Sequence, residues 1–255
     1  MAYSDRSYAR SYIGVPGFPT AIKWLVISNV AIFVAEWFSP SLAAFLNYYF
    51  ALIPAAVVRL GFVWQLATYL FLHGGIWHIL FNMLALWMFG ADIEQAWGTR
   101  RFLQFYFFCG IGAGVCVVVL NYLFSNPNIP TIGASGAIYG ILLACAILWP
   151  DRIVLMSFLF PIKMKYFVMI FGAIAFLNSF SINTGVSEFA HLGGMAFAFV
   201  FLKTPRLRRG SRGQAPGVTN PFTAAGDAYR SWKLARAKRK FQVYLKKQGK
   251  GPWVN

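Results

Sequence analysis

Residues 131–149, TIGASGAIYGILLACAILW, read as an apolar helix that opens on a serine among small residues, Gly133-Ala134-Ser135-Gly136. No charged side chain interrupts the run, and it is one of several such segments that together decide the fold. Crossing the hydrocarbon core of a bilayer takes roughly 20 mostly apolar residues. Six segments approach that length: 21–38, 76–95, 101–124, 135–149, 164–180 and 187–203. The fourth and sixth are short. Apolar residues at 153–160 would either lengthen the fourth or form an interfacial loop. The serine itself has three readings: a helix cap, a packing residue or a nucleophile.

Composition agrees with a membrane protein. Of 255 residues, 58% are hydrophobic and 12% charged, and mean hydropathy is +0.58. A soluble domain carries about 25% charged residues. The first 20 residues are polar and Arg-bearing, so no cleavable leader is expected and the first apolar run stays as an anchor. Cys109, Cys116 and Cys145 all fall in apolar spans and read as packing residues.

The net charge of +16 invites a nucleic-acid reading, but its distribution argues against one. With six spans and the N-terminus inside, 22 of the 23 Lys and Arg fall on the cytoplasmic side, leaving only Arg59 outside. That asymmetry follows the positive-inside rule and puts both termini in the cytoplasm. The chain is therefore expected to be a multi-pass integral membrane protein of a bacterial-type plasma membrane. Its parts are a cytoplasmic segment 1–20, a six-helix membrane domain 21–203 and a basic tail 204–255. The tail contains a Pro/Gly/Arg linker and a basic helix over 223–248 with Trp232, Phe241 and Tyr244. Attraction to anionic lipid headgroups or simple solubilisation would account for it. The outer segment 39–75 is aromatic with one charge, which suits a structure lying in the membrane interface.

Polar groups inside spans are costly and need a reason. His78 and Asn82 are four residues apart on one helix face, as are Ser135 and Tyr139, and His191 lies on the sixth span. Acyl transfer needs a nucleophile, a base and donors for the oxyanion. Ser135 fits the first role, His191 the second, and His78 with Asn82 the third. Gly136, Gly193, Gly194 and Ala198 would let the fourth and sixth helices approach closely. Gly133 would permit a tight turn before the serine. A metal site is disfavoured: His73 and His78 are five apart, and no His-Glu-x-x-His or Cys/His cluster occurs. No cofactor is expected.

Four ordered motifs resemble the rhomboid family of intramembrane serine proteases across residues 21–203: HGGIWHILFN with His73, His78 and Asn82; Gly90-x-x-x-Glu94-x-x-x-Gly98; GASGAIYG; and AHLGG. The resemblance implies an all-α bundle of six transmembrane helices around a water-filled cavity. It implies a Ser135–His191 dyad without a required acid, and an oxyanion hole from the Ser135 N–H, His78 and Asn82. Tyr139 would pack on the His191 ring, and Glu94 would be a structural brace. Substrates would be other transmembrane proteins, cleaved near the outer face where their helices unwind. Two positions depart from the family pattern. Trp64-Gln65 stands where Trp-Arg is common, which implies a slightly looser outer loop, and Ala198 replaces a glycine. Glu188, one turn from His191, is placed at the mouth in solvent, where it would at most bias the imidazole. If span five moves aside, Phe167 and Phe171 are candidates for a lateral gate. Two other classes were weighed: a catalytically silent scaffold, whose mark would be loss of Ser135 or His191, and a transporter, which would show repeats and midplane charges.

Overall fold

The computed structural model describes residues 18–156, 160–179 and 185–204. The expected tail helix, and Arg6 and Arg10, lie outside them. The described chain runs through α1 (Thr20–Phe38), α2 (Pro40–Phe50), α3 (Pro54–Leu60), α4 (Gln65–Thr68) and a 3₁₀ turn (Tyr69–Phe71). Then come α5 (Ile76–Ala85), a π turn (Leu86–Gly90) and α6 (Ala91–Trp97), which together form one continuous rod. After it follow α7 (Thr99–Phe124), α8 (Ser135–Leu148), the strands β1 (Ile153–Met156) and β2 (Phe160–Lys163), α9 (Met164–Asn178) and α10 (Gly185–Lys203). Three described helices are long and apolar enough to cross a membrane: α1, the rod Ile76–Trp97, and α7. Helices α8 and α9 are equally apolar but have 14 and 15 residues. Outward faces carry large apolar side chains such as Trp24, Trp37, Leu123 and Leu177, the pattern of a surface that meets lipid rather than water.

Helix α7 forms the centre. Its Phe102, Phe105, Tyr106, Cys109, Ala113 and Val117 are fully buried, and α10 and α8 both pack on it. Close approach rests on missing side chains. A Cβ on Gly140 would lie 2.8 Å from Cys109 Cβ, and one on Gly193 would lie 2.8 Å from Cys116 Cβ. At the α8–α10 crossing, a Cβ on Gly194 would overlap the carbonyl oxygen of Gly136. In lipid, where burial of apolar surface drives little, such backbone proximity is the main source of helix–helix attraction.

Glu94 braces the start of α1. Its two carboxylate oxygens accept the backbone N–H groups of Ala21 and Ile22, at 2.8 and 2.9 Å, and Oε1 also accepts the Thr99 hydroxyl at 2.7 Å. A carboxylate thus fills orphan donors in the first turn of α1, where the helix dipole favours negative charge. Gly90 completes the motif by leaving space for Ile22, whose Cδ1 would be 2.7 Å from an added Cβ.

Residues 153–156 and 160 do not lengthen α8. Pro150 cannot continue a helix, and the chain turns into an antiparallel hairpin with Ile153 opposite Lys163 and Met156 opposite Phe160. Asp151 closes its open end, accepting Lys163 Nζ at 3.1 Å and Lys165 Nζ at 2.9 Å. The two ammonium groups hold its carboxyl below the usual carboxylate range. Arg152 pairs with Asp92 of α6.

The segment between α1 and α5 is not loosened by Gln65. That side chain is fully buried. Its Oε1 accepts Ile53 N–H at 3.0 Å, and its Nε2 donates to the carbonyls of Tyr48 and Tyr49 at 3.2 and 3.3 Å. Trp64 Nε1 donates to the same Tyr49 carbonyl at 2.8 Å. A neutral amide therefore pins the end of α2 to the start of α3, work that needs hydrogen-bonding capacity rather than charge.

Candidate active site

The serine motif begins with a backbone turn. Gly133 has φ +115°, a region that L side chains rarely adopt. Its N–H donates to Tyr69 O at 2.9 Å, while the Tyr69 hydroxyl donates to Gly110 O of α7 at 2.8 Å. Two residues earlier, Thr131 and Leu52 exchange backbone hydrogen bonds of 2.9 and 3.0 Å. The loop before the serine is thereby fixed to both the segment between α1 and α5 and α7. Sequence reasoning passed over Tyr69. Its only signal was a hydroxyl in an apolar stretch, which demands a partner when buried.

Ser135 is the first residue of α8, and no side chain caps that helix, with Ala134 at the cap position. The cap reading therefore fails. The hydroxyl is engaged elsewhere: Ser135 Oγ lies 2.9 Å from His191 Nε2, across 56 residues of sequence. The α8–α10 crossing at Gly136 and Gly194 makes this contact, because each glycine stands next to or one turn from a member of the pair. Tyr139, one turn along α8, lies flat on the imidazole, with ring centroids 4.1 Å apart and planes 6° from parallel.

His78 and Asn82 face the same place from α5. Gly74 N–H donates to His78 Nδ1 at 3.3 Å. This assigns the ring proton to Nε2, which points at the Gly133 backbone, 2.7 Å from where a Cβ there would sit. Asn82 Nδ2 lies 3.8 Å from that point and uses one proton on the His78 carbonyl at 3.0 Å. A second amide proton is left over. His73 is buried outside the group, edge-on to His78 with centroids 5.0 Å apart. Burial, together with His78, pushes its imidazole down to about 4.

Ser135, His191, Tyr139, His78, Asn82 and Gly133 all line one cavity of about 690 Å³. Gly136 and Gly194 lie behind it at the helix crossing. Glu188 departs from its expected place in solvent. Its side chain is only 15% exposed, and Oε2 lies 2.8 Å from His191 Nδ1. Helix α10 begins at Gly185, so Glu188 falls in its first turn and shares a face with His191 three residues on. Among the described residues, no three or more His, Cys, Asp or Glu converge as a metal site would need.

A family model described as the Rhomboid domain matches residues 60–205. Among similar proteins, RHOMBOID-like protein 1 of Arabidopsis thaliana is 29% identical over 222 residues, covering 74% of this chain and 55% of that protein. Rhomboid protease GluP of Bacillus subtilis is 33% identical over 144 residues, 56% of this chain and 26% of its own. Rhomboid protein 1, mitochondrial, of Saccharomyces cerevisiae is 29% identical over 154 residues, 58% of this chain and 44% of its own. The chain spans about half the length of the first of these relatives and less of the other two. They come from a plant, a bacterium and a yeast mitochondrion, so they point to a membrane without favouring the bacterial-type plasma membrane. With its apolar helices and a match over more than half of its length, this integral membrane protein belongs to the rhomboid family.

Proposed function

We propose that this chain is an intramembrane serine endopeptidase that cleaves transmembrane segments of other membrane proteins near the outer face. The 2.9 Å contact between Ser135 Oγ and His191 Nε2, in the wall of a cavity lined mostly by apolar side chains, carries the reading. His191 takes the hydroxyl proton as Ser135 Oγ attacks a peptide carbonyl. The oxyanion forms beside the Ser135 N–H, the His78 Nε2–H and the free Asn82 amide proton, with the N-terminus of α8 adding positive potential. His191 then protonates the departing amine, and water repeats the sequence on the acyl-enzyme.

The proposed arrangement has six spans in the domain 21–203, with α8, α9 and α10 completing the set and both termini cytoplasmic. The distribution of Lys and Arg supports it. The tail 204–255 would lie against anionic headgroups.

The test is reconstitution of the full chain with a single-span reporter substrate, comparing wild type with Ser135→Ala. Cleavage that disappears in a folded Ser135→Ala variant is the expected result. A wild type that neither cleaves nor is labelled at Ser135 by a fluorophosphonate would instead indicate a silent scaffold.

A further inference from the structure

We propose that Glu188 is a positioning residue that turns the Ser135–His191 pair into a three-membered Ser–His–Glu relay. This rests on the protease reading and goes beyond the two-residue machinery that the family resemblance implies. Three contacts hold the His191 ring: Ser135 at Nε2, Tyr139 on its face, and Glu188 Oε2 at Nδ1, 2.8 Å away. Both side chains are largely withdrawn from solvent, at 16% and 15% exposure, so the contact is shielded more than a surface pair would be.

The chemistry asks for such a partner. A general base must present an unprotonated Nε2 to the serine hydroxyl, which requires the ring proton to sit on Nδ1. A neutral imidazole has two tautomers, and the other one aims an N–H at Ser135 and cannot accept its proton. A carboxylate can only accept, so Glu188 selects the Nδ1–H form. When the Oγ–carbonyl bond forms, the Oγ proton moves to Nε2 and the ring becomes a cation. The carboxylate stabilises that cation without taking a proton itself. The same Nε2 proton then goes to the leaving nitrogen, and the ring returns to its starting tautomer. Glu188 does not line the cavity, so it reaches the reaction only through His191.

Other groups facing the ring cannot replace it. From α8 come Ser135 and the stacked Tyr139. From α5, His78 lines the same cavity as His191. Cys116 of α7 lies against the next turn of α10, at Gly193. None of these offers Nδ1 an anionic acceptor.

An acid in the first turn of a helix also suits its dipole, which is a structural role. The experiment therefore reads catalysis and stability separately. The full chain in proteoliposomes, with a single-span reporter, is compared as wild type, Ser135→Ala and Glu188→Gln. Glu188→Gln should lower kcat by about 10- to 100-fold, less than removing a whole acid–base catalyst, with KM within about twofold. The acid limb of kcat/KM should move as well, because the cationic ring has lost its counter-charge. Wild-type kcat and an unmoved limb in folded Glu188→Gln would overturn the proposal. If Ser135→Ala alone is dead in that experiment, the protease reading survives the loss.

Should Glu188→Gln not fold, wild-type protein with ¹⁵N-labelled histidine decides the matter. A far-downfield Nδ1–H resonance that vanishes in His191→Asn is expected, and its absence in wild type would equally overturn the relay.

Discussion

Gly194→Ala puts the geometry of the α8–α10 crossing under direct test. An added Cβ would overlap the Gly136 carbonyl oxygen, and neither partner is the end of a flexible side chain that could swing away. Restoring an ordinary contact requires the two backbones to part by more than about 1 Å. His191 is three residues before Gly194 on α10, and Ser135 adjoins Gly136 on α8. The displacement therefore falls almost undiluted on the 2.9 Å Ser135–His191 hydrogen bond. Misplacing reacting groups by 1 Å costs on the order of 10² in rate, and overpacking a tight core costs about 1–3 kcal/mol. The expected result is thus a kcat reduced by about two orders of magnitude together with a lowered thermal unfolding temperature in detergent. Gly172→Ala is the matched control, because its Cβ would meet only the flexible end of Met195, with Cε at 3.3 Å. That variant should stay within about twofold of wild type. A Gly194→Ala protein with wild-type kcat and stability would refute the close crossing and the account of how the pair is aligned.

Three further outcomes follow from the same structure. Gln65→Ala leaves the Ile53 N–H and the Tyr48 carbonyl without their side-chain partner, while the Tyr49 carbonyl keeps Trp64 Nε1; stability should fall by about 2–3 kcal/mol in a detergent melt, and an unchanged melt would sink the clamp. His73, held at about 4 against an ordinary 6.5, stays neutral in the fold while the unfolded chain protonates. Its contribution is complete above pH 6.5, is lost progressively as pH falls towards 4, and amounts to about 3 kcal/mol; His73→Phe should flatten that part of a stability–pH curve. Phe167 and Phe171 meet at a tilt with ring centroids 4.7 Å apart, and Phe167 reaches Phe89 of the rod at 5.8 Å across the cavity wall. Phe167→Ala should speed cleavage of a membrane-embedded substrate a few-fold more than that of a soluble peptide, and equal effects would count against α9 as the gate.

How much of this was legible beforehand depended on whether a residue's role is set by its own chemistry or by its partner. Ser135, His78, Asn82 and His191 stood out because polar groups in apolar helices need a reason, and helical spacing then placed them on shared faces. Helix extents were legible for the same reason: 21–38 and 101–124 differ from α1 and α7 by one or two residues at one end. The hairpin at Ile153–Lys163 was not, since a short apolar run fits a strand, a loop or a helix end until its partner strand is known. Neither was the π turn at Leu86–Gly90, which leaves no periodic trace in an all-apolar stretch but sets the angular offset between His78 and Glu94. Gln65 and Glu188 were misjudged together. One was read as a missing arginine and the other as a solvated acid, because burial depth is decided by where α2 and α10 begin and end.

These corrections separate two kinds of buried polar residue. Glu94 accepts three hydrogen bonds and Gln65 makes three, and their oxygens and nitrogens are taken up by backbone or hydroxyl groups nearby. Such side chains stabilise the frame, and changing them should lower the unfolding temperature first. His78 and Asn82 differ. Among the described residues, each spends part of its capacity on its own helix or the adjoining loop and keeps a donor aimed at the cavity beside Gly133. An unfilled donor in an apolar setting is unfavourable for folding, so its persistence points to a group that arrives from outside, such as an oxyanion. Changing these residues should lower kcat while leaving stability equal or improved. Glu188 is the informative intermediate: one oxygen is committed to His191, yet under the proposed relay that bond orders a reacting group rather than the scaffold. A variant there that melts like wild type but turns over slowly belongs with the chemistry, and the reverse places it with Glu94 and Gln65.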